Sequence, residues 1–414
     1  MVEEKRIPEG YKQTEVGVIP EDWEVKKLKD CIISPPSYGI NAPAVQFSEN
    51  LPTYLRITDI SDRGTMIKTD RKSVNNINSS HFYLYDNDLV FARTGASTGK
   101  TYLYNKSDGM LVFAGFLIKV TIDTECVLPW FLKAYTETNA YWNWVRIMST
   151  RSGQPGINGK EYANLYVPIP PKKEQKAIAT PLTDTDNLLQ SLQKLIDKKK
   201  KVKQGAMQEL LTGKKRLPGF DGEWVRSSIN DIAYLYSGGT PSSSNATYYG
   251  GEIPWITSGD LKHGRVNFVK GRITHLGMEN SAAKMIMKDT VLLALYGATA
   301  GVCAISNINA AINQAVLAIN TNEENDPYFL FYKLNYFKKL IISTYTQGGQ
   351  PNLSGNIIKS IEFMFPKYEE QTAIATILSD MDTEIEALEK KYEKLQAVKK
   401  GMMQELLTGR VRLI

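Results

Sequence analysis

The chain has 414 residues, of which 42% are apolar and 23% charged, and its formal net charge is +6. This composition is typical of a globular protein of roughly two to four domains and excludes a disordered or fibrous chain. No apolar run approaches the ~18 residues of a membrane span, and the charged start, MVEEKRIPEG, lacks the apolar core of a signal peptide. We therefore expect a cytoplasmic protein with no membrane partner. Its mildly basic balance is compatible with nucleic acid.

The metal-binding and redox-active residues are few and scattered. The three cysteines, Cys31, Cys126 and Cys303, form no C-x-x-C pair, and the three histidines show no metal-ligand spacing. This pattern fits a reducing compartment and argues against a disulfide framework or a zinc knuckle. The sequence also contains no glycine-rich cofactor fingerprint and no acid–base pair that we would defend. We expect no metal, no cofactor and no catalytic residue in this chain.

The heptapeptide MQELLTG occurs twice, at Met207–Gly213 and Met403–Gly409, and marks an internal repeat. A shift of 196 residues (403 − 207) aligns Pro170–Leu217 with Pro366–Leu413 without a gap, with 25 identities over 48 positions. The intervening blocks match more loosely. The predicted order is an N-terminal segment 1–20 that completes the repeat, a variable block 21–168, a helical segment 169–217, a second block 218–365 and a second helical segment 366–414.

The first block is predicted to be a compact α/β module, with a strand at Asp88–Ala92 and an aromatic helix at Pro129–Tyr135. Between them, RTGASTGKT at Arg93–Thr101 resembles a phosphate-binding loop. That loop needs four residues between its glycines and a helix after it. Here only three residues separate Gly95 from Gly99, and the following TYLYN looks like a strand. A glycine-rich turn between two strands is the favoured interpretation, and nucleotide binding is the lesser alternative.

Each well-matched segment predicts a long helix. Apolar residues recur at steps of four and three, a period that suits two helices packed on each other; the alternative is a helix packed only on its own block. Pro170 and Pro366 precede the helices, and Gly213 and Gly409 stand where a helix C-cap favours glycine. The predicted coiled-coil and docking residues are Leu188, Leu192, Leu195, Val202, Met207, Leu210, Leu211, Met381, Ile385, Leu388, Tyr392, Leu395, Val398, Met402 and Leu406.

The first helical segment is strongly basic. It carries twelve Lys/Arg and five Asp/Glu between Lys172 and Leu217, with four consecutive lysines at Lys198–Lys201. Such a run is usually a solvated helix face. The alternative is a basic surface that faces a phosphate backbone or an acidic partner.

The second block repeats the pattern of the first, with a strand in Thr290–Leu295, the turn sequence GATAG at Gly297–Gly301 and an aromatic run at Pro327–Lys333. The predicted fold class is therefore α+β, with two α/β modules separated by two long coiled-coil helices in a pseudo-twofold internal repeat. MQELLTG would then be a spacer and docking element, and lengthening one copy by four residues should shift the distance between the modules.

Several stretches in order resemble the specificity (S) subunit of type I restriction–modification systems. They are GYKQTEVGVIPEDWEVKKL at Gly10–Leu28, YSGGTPS at Tyr236–Ser242, GGQPNLSG at Gly348–Gly355 and the doubled QELLTG, and together they span nearly the whole chain. The resemblance implies two target recognition domains that each recognise one part of a split double-stranded DNA sequence. It also implies that the two coiled-coil helices pack antiparallel, separate these domains and dock two modification subunits.

The resemblance also implies that the modification subunits carry S-adenosylmethionine. ATP and Mg would belong to partner subunits, which include the restriction subunits. This chain would then do no chemistry itself. The first block departs from the pattern, because it has Ser34–Asn41 (SPPSYGIN) where the second has SGGTPS. We therefore expect two different half-sites and an asymmetric target. The competing functions are a stand-alone nucleotide hydrolase or nuclease and a scaffold that binds no DNA.

Arginine, lysine and hydroxyl side chains on exposed turns suit contacts with phosphates and base edges. Gln154 and Gln350 occupy equivalent positions in the two blocks, so a shared structural role competes with DNA contact at both. The predicted DNA-binding residues are Tyr38, Arg56, Arg93, Ser97, Lys100, Gln154, Thr240, Ser242, Thr257, Lys262, Tyr296, Gln350 and Asn352.

Overall fold

The structure, a computed structural model, describes residues 7–151, 153–345 and 352–413. Its contacts divide the chain into two units. Unit 1 comprises Met1–Leu192 with Lys391–Ile414, and unit 2 comprises Gln193–Lys390. The division falls inside the two long helical segments and not at their predicted starts. Each unit therefore combines one variable block with parts of both helices.

Unit 1 is a mixed α/β unit of short strands. Its strands are β1 (Tyr11–Thr14), β2 (Gly17–Pro20), β3 (Glu24–Lys27), β4 (Ser37–Tyr38), β5 (Val45–Gln46), β6 (Thr53–Leu55), β7 (Lys72–Ser73), β8 (Asp88–Ala92), β9 (Thr101–Leu103), β10 (Leu111–Phe113), β11 (Leu117–Thr121) and β12 (Tyr166–Ile169), and its short helices are α1 (Pro129–Tyr135), α2 (Asn139–Met148) and α3 (Gly159–Ala163). The strands form sheets in the orders β1-β2, β10-β6-β7-β5, β4-β11-β8-β9 and β12-β3.

The first long helix, α4 (Lys172–Leu210), leads into unit 2. The strands of unit 2 are β13 (Val225–Ser228), β14 (Ala233–Ser237), β15 (Tyr249–Ile256), β16 (Arg265–Val266), β17 (Arg272–Ile273), β18 (Lys284–Ile286), β19 (Val291–Ala294), β20 (Cys303–Ser306), β21 (Ala310–Ile312), β22 (Val316–Thr321) and β23 (Glu362–Phe365), and its helices are α5 (Ile229–Ile232), α6 (His275–Glu279), α7 (Pro327–Tyr345), α8 (Gly355–Ser360) and the start of the second long helix, α9 (Tyr368–Leu406). The sheet orders are β13-β23, β14-β22-β19-β20-β16 and β17-β15-β21-β18.

The two units share one internal plan. In unit 1 the buried strand β8 pairs antiparallel with β11 and β9, and in unit 2 β19 pairs in the same way with β22 and β20. β6 and β10 pair parallel, as do β15 and β21. The apolar runs that predicted central strands at 88–92 and 290–295 are thus the middle of equivalent sheets, because a strand covered on both faces needs apolar side chains throughout.

The predicted apolar stripe of the long helices matches most buried positions of the second copy but is shifted by one residue in part of the first. Leu188 is 49% exposed and Leu195 39% exposed, whereas their neighbours Leu189 and Ile196 are buried. The observed stripe of α4 runs through Ile178, Leu182, Thr185, Leu189, Leu192, Ile196, Lys199, Lys203, Ala206 and Leu210. Ile385 and Tyr392 belong to the apolar stripe of α9. The equivalent residues of α4, 196 positions earlier, are Leu189 and Ile196, so the repeat itself points to these two as buried residues.

Two further stripe residues are corrected. Val202 is 50% and Val398 54% exposed, and the next residue of each helix, Lys203 and Lys399, is half-buried instead. The reason is electrostatic. Lys399 lies 2.7 Å from Asp186 in unit 1, and Lys203 pairs with Asp382 in unit 2. The apolar stem of a lysine covers the helix surface while its ammonium group reaches a carboxylate.

These ion pairs also show the direction of the helices within each unit. In unit 2, Arg216 follows α4 and binds Glu370, in the first turn of α9, through two hydrogen bonds of 2.7 Å. In unit 1, Arg412 follows α9 and binds Glu174, in the first turn of α4, at 2.6 and 2.8 Å. The end of one helix therefore lies beside the start of the other in both units.

The lysine run at Lys198–Lys201 is partly neutralised. Lys199 pairs with Glu384 at 2.6 Å and Lys200 with Glu389 at 2.7 Å, both from α9, while Lys198 and Lys201 are exposed. Half of the run thus contributes to helix pairing. The two exposed lysines remain compatible with either a solvated face or a basic surface.

The doubled heptapeptide belongs to the hydrophobic cores. Leu210 and Leu211 are buried in the core of unit 2, and Leu406 and Leu407 are buried in the core of unit 1. The following glycines have positive φ, +70° at Gly213 and +71° at Gly409, which a side chain would oppose. The interpretation of MQELLTG as a spacer and docking element therefore leaves out its place in the two cores, and an insertion within it would disturb a core.

Lys333 on α7 is a buried cation in unit 2. Its side chain is enclosed by four aromatic rings whose centroids lie between 4.7 and 5.7 Å from Nζ, and Nζ donates a hydrogen bond to the carbonyl oxygen of Met364. The rings belong to Trp224, Phe329, Phe363 and Phe365. Burial lowers the pKa of Lys333 to about 7. Desolvation here outweighs the attraction of the ring faces, because water is lost on all sides.

The lowered pKa predicts that the stability of unit 2 rises with pH above about 7. An unfolded lysine keeps its proton up to about pH 10.4, so between these values the unfolded state binds more protons than the native state. For the wild type, the free energy of unfolding should rise by up to about 1.4 kcal/mol per pH unit relative to Lys333→Met. Urea unfolding of both proteins at pH 7, 8 and 9 measures this difference, and parallel pH profiles would contradict it.

Candidate nucleic-acid interface

A glycine turn closes the central hairpin of each unit. In unit 1 it connects β8 to β9 through a 3₁₀ turn at Gly95–Ser97, and in unit 2 it connects β19 to β20 through Gly297–Thr299. The N–H of Gly99 donates to the carbonyl of Ala92 at 2.9 Å, and the N–H of Gly301 donates to that of Ala294 at 2.8 Å. The first glycines have φ of +73° and +78°, which explains why both turns begin with glycine.

This geometry does not form a phosphate-binding loop. A strand and not a helix follows the Gly95–Ser97 turn, so no helix N-terminus points at the loop. Lys100, which would have to reach a phosphate, forms an ion pair with Asp62 at 2.6 Å. The lesser alternative of nucleotide binding at this turn therefore has no support from the geometry.

A returning segment packs against each glycine turn. In unit 1, Gly95 N–H donates to the carbonyl of Pro155 at 3.0 Å, and Gln154 lies exposed beside the turn. In unit 2, Tyr296 forms a β-bridge with Asn352, which is also exposed. The structure thus brings together the predicted residues of the turns and of the returning segments. Gln350 lies outside the described residues.

Arg93 contacts both Tyr38 and Phe116 beside the turn of unit 1. The Arg93 guanidinium carbon lies 4.8 Å from the centroid of the Tyr38 ring, and the Arg93 N–H donates to the Phe116 carbonyl at 3.1 Å. The Tyr38 hydroxyl accepts a hydrogen bond from the N–H of Gly159 at 3.0 Å. Tyr38 is 43% and Phe116 58% exposed. We call these three residues, with Gly95–Ser97 and Gln154, the loop edge of unit 1.

The sequence did not single out Phe116. A lone phenylalanine between two strands usually belongs to a core, and the preceding residues, Ala114 and Gly115, gave only a turn signal. In the structure Phe116 N–H and C=O belong to the tight connection between β10 and β11, which leaves its ring in solvent. An exposed aromatic ring on a fixed backbone is suited to contact with a nucleic-acid base.

Unit 2 has different side chains at the equivalent positions. Ser237 pairs with Leu317 as Tyr38 pairs with Ile118. The N–H of Leu295 donates to Ala315 at 2.9 Å, as that of Arg93 donates to Phe116. The loop edge of unit 2 is accordingly Ser237, Leu295, Ala315, Gly297–Thr299, Tyr296 and Asn352. The same backbone presents an aromatic–cationic surface in unit 1. In unit 2, Leu295 and Ala315 are buried, and Ser237, Tyr296 and Asn352 leave an uncharged surface.

Two predicted contact residues have a structural role in common. Arg56 and Thr257 each precede a 3₁₀ turn and are bound by a carboxylate of that turn. Arg56 Nε lies 2.8 Å from Asp59, and Thr257 Oγ1 lies 2.8 Å from Asp260. Their side chains are committed to these internal contacts. The sequence similarity of the two blocks at Arg56 and Thr257 therefore reflects the 3₁₀ turn that both blocks form there.

The remaining predicted residues lie in separate places within their units. Thr240 Oγ1 donates to Gln314 Oε1 at 2.5 Å, next to Ala315 and thus beside the loop edge of unit 2. Ser242 pairs with Ser244 at 2.8 Å, and Lys262 is exposed on the 3₁₀ helix Ser258–His263. Ser97 is half-buried in the turn of unit 1.

A groove of about 550 Å³ opens beside Tyr38 in unit 1. Its walls are largely apolar, with Ile33 and Pro36 among them, and the exposed lysines Lys29 and Lys160 flank it. It contains the SPPSY segment in which the two blocks differ. Lys29 and Lys160 thus add positive charge beside the exposed Tyr38 of the loop edge. A positively charged surface of this kind attracts a polyanion.

In residues 7–151, 153–345 and 352–413, no group of three or more His, Cys, Asp or Glu is arranged to hold a metal ion. Across the same residues, no helix combines the length and the apolarity that crossing a membrane requires.

Two units of one plan, with different exposed side chains at equivalent loops and with shared long helices, define a two-module recognition protein. The model of the type I restriction modification DNA specificity domain matches the chain twice, at residues 20–204 and 221–397. The chain belongs to this family, the specificity subunits of type I restriction–modification systems.

The relatives support the same assignment over the whole chain. The provisionally named MjaX specificity subunit of a type I restriction enzyme from Methanocaldococcus jannaschii is 28% identical, over 98% of this chain and 97% of the relative. The MjaVIII specificity subunit of the same organism is 24% identical, over 98% and 96%.

Solved structures show the same fold. The crystal structure of the S subunit from M. genitalium has a TM-score of 0.61 at 16% identity and covers 93% of this chain and 96% of that one. A chain from a structure of a type I restriction–modification system has a TM-score of 0.58 at 16% identity, over 95% and 99%.

Proposed function

We propose that this chain recognises an asymmetric, bipartite double-stranded DNA target, with one unit for each half-site, and that it docks two modification subunits on its long helices. The observation that carries the proposal is the contrast between equivalent loop edges. Arg93, Tyr38 and Phe116 offer a cation and two rings where Leu295, Ser237 and Ala315 offer none of these. Two identical half-sites would need matching side chains, and these do not match.

The chemistry of the loop edge supports contact with bases and not only with phosphates. An arginine is the commonest partner of guanine O6 and N7, and an apolar or aromatic side chain contacts the thymine methyl group or a base step. Stacking on Tyr38 limits the freedom of the Arg93 guanidinium, so less entropy is lost when it binds a base. Lys29 and Lys160 would add a salt-dependent, sequence-independent contribution.

The long helices support the docking part of the proposal. Their internal ion pairs repeat with the 196-residue shift, since Lys203–Asp382 corresponds to Lys399–Asp186. We propose that α4 and α9 form an antiparallel coiled coil that sets the spacing of the half-sites. An approximate twofold repeat of this kind offers the same surface twice, which suits two copies of one partner.

The chain would itself be non-catalytic. Its relatives carry the name specificity subunit, and the proposal leaves S-adenosylmethionine, ATP and Mg to the modification and restriction subunits. The scaffold alternative predicts no sequence preference in any DNA assay. It is therefore separated from the proposal by the experiment below.

Arg93→Ala is expected to impair recognition of the first half-site and to leave the second intact. Loss of a bidentate contact with one base pair costs about 1–3 kcal/mol, roughly a 5- to 150-fold loss of specific affinity. The measurement is sequencing of adenine methylation in cells that carry the complete system, followed by binding of the assembled complex to the wild-type target and to targets changed at single positions.

Arg71→Ala is the matched control, because it removes the same charge from the same unit while the Arg71 guanidinium lies 4.0 Å from the Phe47 ring. It should weaken all DNA binding slightly and equally. Equal effects of the two variants at every position of the target would contradict base recognition by Arg93. Unchanged methylation in Arg93→Ala would contradict the loop edge as the recognition surface.

A further inference from the structure

Cys31 and Cys126 are brought together in unit 1. Their sulfur atoms lie 3.1 Å apart, although 95 positions (126 − 31) separate them in the chain. Cys31 ends the 3₁₀ helix Leu28–Cys31 and is buried, whereas Cys126 is partly exposed in the segment between β11 and α1. Both are free thiols. A disulfide bond needs about 2.05 Å between the sulfurs, so about 1 Å of approach joins them.

The backbone holds both cysteines in place. The N–H of Asp123 donates to the Cys31 carbonyl at 2.9 Å, and the N–H of Cys126 donates to the Asp123 carbonyl at 3.1 Å. Ile32 and Ile122 form an antiparallel β-bridge immediately beside them. The two segments therefore cannot separate without the loss of several backbone hydrogen bonds. These backbone contacts hold the two sulfur atoms close to each other.

We propose that Cys31 and Cys126 form an oxidation site, at which a two-electron oxidant such as hydrogen peroxide converts the thiol pair into an intramolecular disulfide. The partly exposed Cys126 meets the oxidant first. Its sulfur takes one oxygen from the peroxide and becomes a sulfenic acid, and one water is released. The Cys31 sulfur then attacks the Cys126 sulfur. The S–S bond forms as the S–O bond breaks, and the hydroxide leaves as water with the proton of Cys31.

The order of these steps follows from the surroundings. Burial, followed by the neighbouring Cys126, raises the pKa of the Cys31 thiol, which keeps Cys31 protonated and slow to react with an external oxidant. Its contact with Cys126 makes it the resolving partner. Cys303, the third cysteine, is buried in unit 2, and burial raises the pKa of its thiol as well, so it should be inert.

The disulfide bond would link the segment before α1 to the 3₁₀ helix that ends at Cys31. The segment that carries Cys126 also holds the first turn of α4, because the N–H of Leu128 donates to Gln175 Oε1 at 2.8 Å. A cross-link across such a long stretch of chain restricts the unfolded state strongly. The oxidised form of unit 1 should therefore unfold at a higher temperature than the reduced form.

Unit 2 supplies an internal comparison. Its equivalent positions are Ile232 and Asn325, since Asn322 N–H donates to the Ile232 carbonyl at 2.8 Å and Asn325 N–H to the Asn322 carbonyl at 3.1 Å. The shared backbone plan does not require cysteine there. The thiol pair is a feature of unit 1, and its oxidation does not depend on which DNA sequence the chain recognises.

The test uses the full-length protein, treated with dithiothreitol or with hydrogen peroxide and then denatured for thiol counting. We expect three free thiols after reduction and one after mild oxidation, and a non-reducing peptide map that links the Cys31 and Cys126 peptides. The unfolding temperature of the oxidised protein should rise by several degrees. Cys303→Ser should retain the cross-link.

Cys126→Ser should lose both the cross-link and the gain in unfolding temperature while keeping the same stability under reducing conditions. Cys31→Ala should leave Cys126 to stop at a sulfenic acid, which a dimedone probe detects. Three reactive thiols after peroxide treatment, or a cross-link that includes Cys303, would overturn the proposal. So would an oxidised wild type that unfolds at the temperature of the reduced one.

Discussion

Replacement of residues 21–168 by the corresponding block of another specificity subunit is expected to change the first half-site of the methylated sequence and to preserve the second. The physical reason is that the loop edge of unit 1, including Arg93 and Phe116, is built entirely from this block. The backbone that positions it is internal to unit 1, so a new block brings its own edge. Sequencing of adenine methylation in cells carrying the complete system measures both half-sites at once.

The exchanged block must keep its contacts with the helices. Trp23 is fully buried and donates from Nε1 to Glu174 at 2.9 Å, and Glu137 lies near Lys399. A donor block should therefore have tryptophan and an acidic residue at these positions. The reciprocal exchange of residues 218–365 is the control and should change only the second half-site. A change of both half-sites, or of neither, in either exchange would refute one-unit-one-half-site recognition.

Insertion of one heptad into each long helix, after Leu192 in α4 and after Lys390 in α9, is expected to lengthen the spacer of the target without changing either half-site. These are the positions at which the two units divide, so the ion pairs and cores within each unit stay intact. Seven helical residues add about 10 Å, which corresponds to about three base pairs of DNA. A full heptad keeps the apolar stripe in register.

The control is the same heptad in α4 alone. It lengthens α4 at the division between the units and leaves α9 unchanged, so the two helices no longer match in length there, and it should abolish specific methylation. The double insertion should restore methylation at the longer target. If the double insertion were to leave the spacer unchanged, the helices would not set the spacing of the half-sites.

Insertion within MQELLTG is expected to behave differently. The leucines of each copy are buried in the core of a unit, and the following glycine adopts positive φ against a tryptophan, Trp224 beside Gly213 and Trp23 beside Gly409. Extra residues there would displace these leucines and destabilise the unit. Burial in a core explains, better than a spacer role does, why the same heptapeptide occurs in both halves of this chain.

Much of the architecture could be predicted from the sequence because it depends on local periodicity and on self-similarity. The repeat at a shift of 196 residues located both long helices, and the apolar runs located β8 and β19. The glycines at 95 and 297 marked turns because only glycine accepts their φ without strain. These features are encoded by neighbouring residues, so no long-range information was needed.

The helix seam shows where local information was insufficient. Leu188 and Leu189 are both apolar, and only the packing of the partner helix selects Leu189 for the interior. Lys203 and Lys399 occupy seam positions because Asp382 and Asp186 neutralise them, and no hydropathy pattern contains that pairing. Contacts with the opposite helix therefore determine which of two adjacent residues is buried.

The amino-acid sequence by itself determined the family, the twofold repeat, the two long helices and the alternation of modules, since these rest on similarity and on short-range order. Only the tertiary structure decided which side chains share a surface. It joined Tyr38, Arg93 and Phe116 from separate parts of unit 1, committed Lys100 to an ion pair with Asp62, and placed Cys31 against Cys126. Such neighbours come from distant parts of the chain, and strand pairing brings them together.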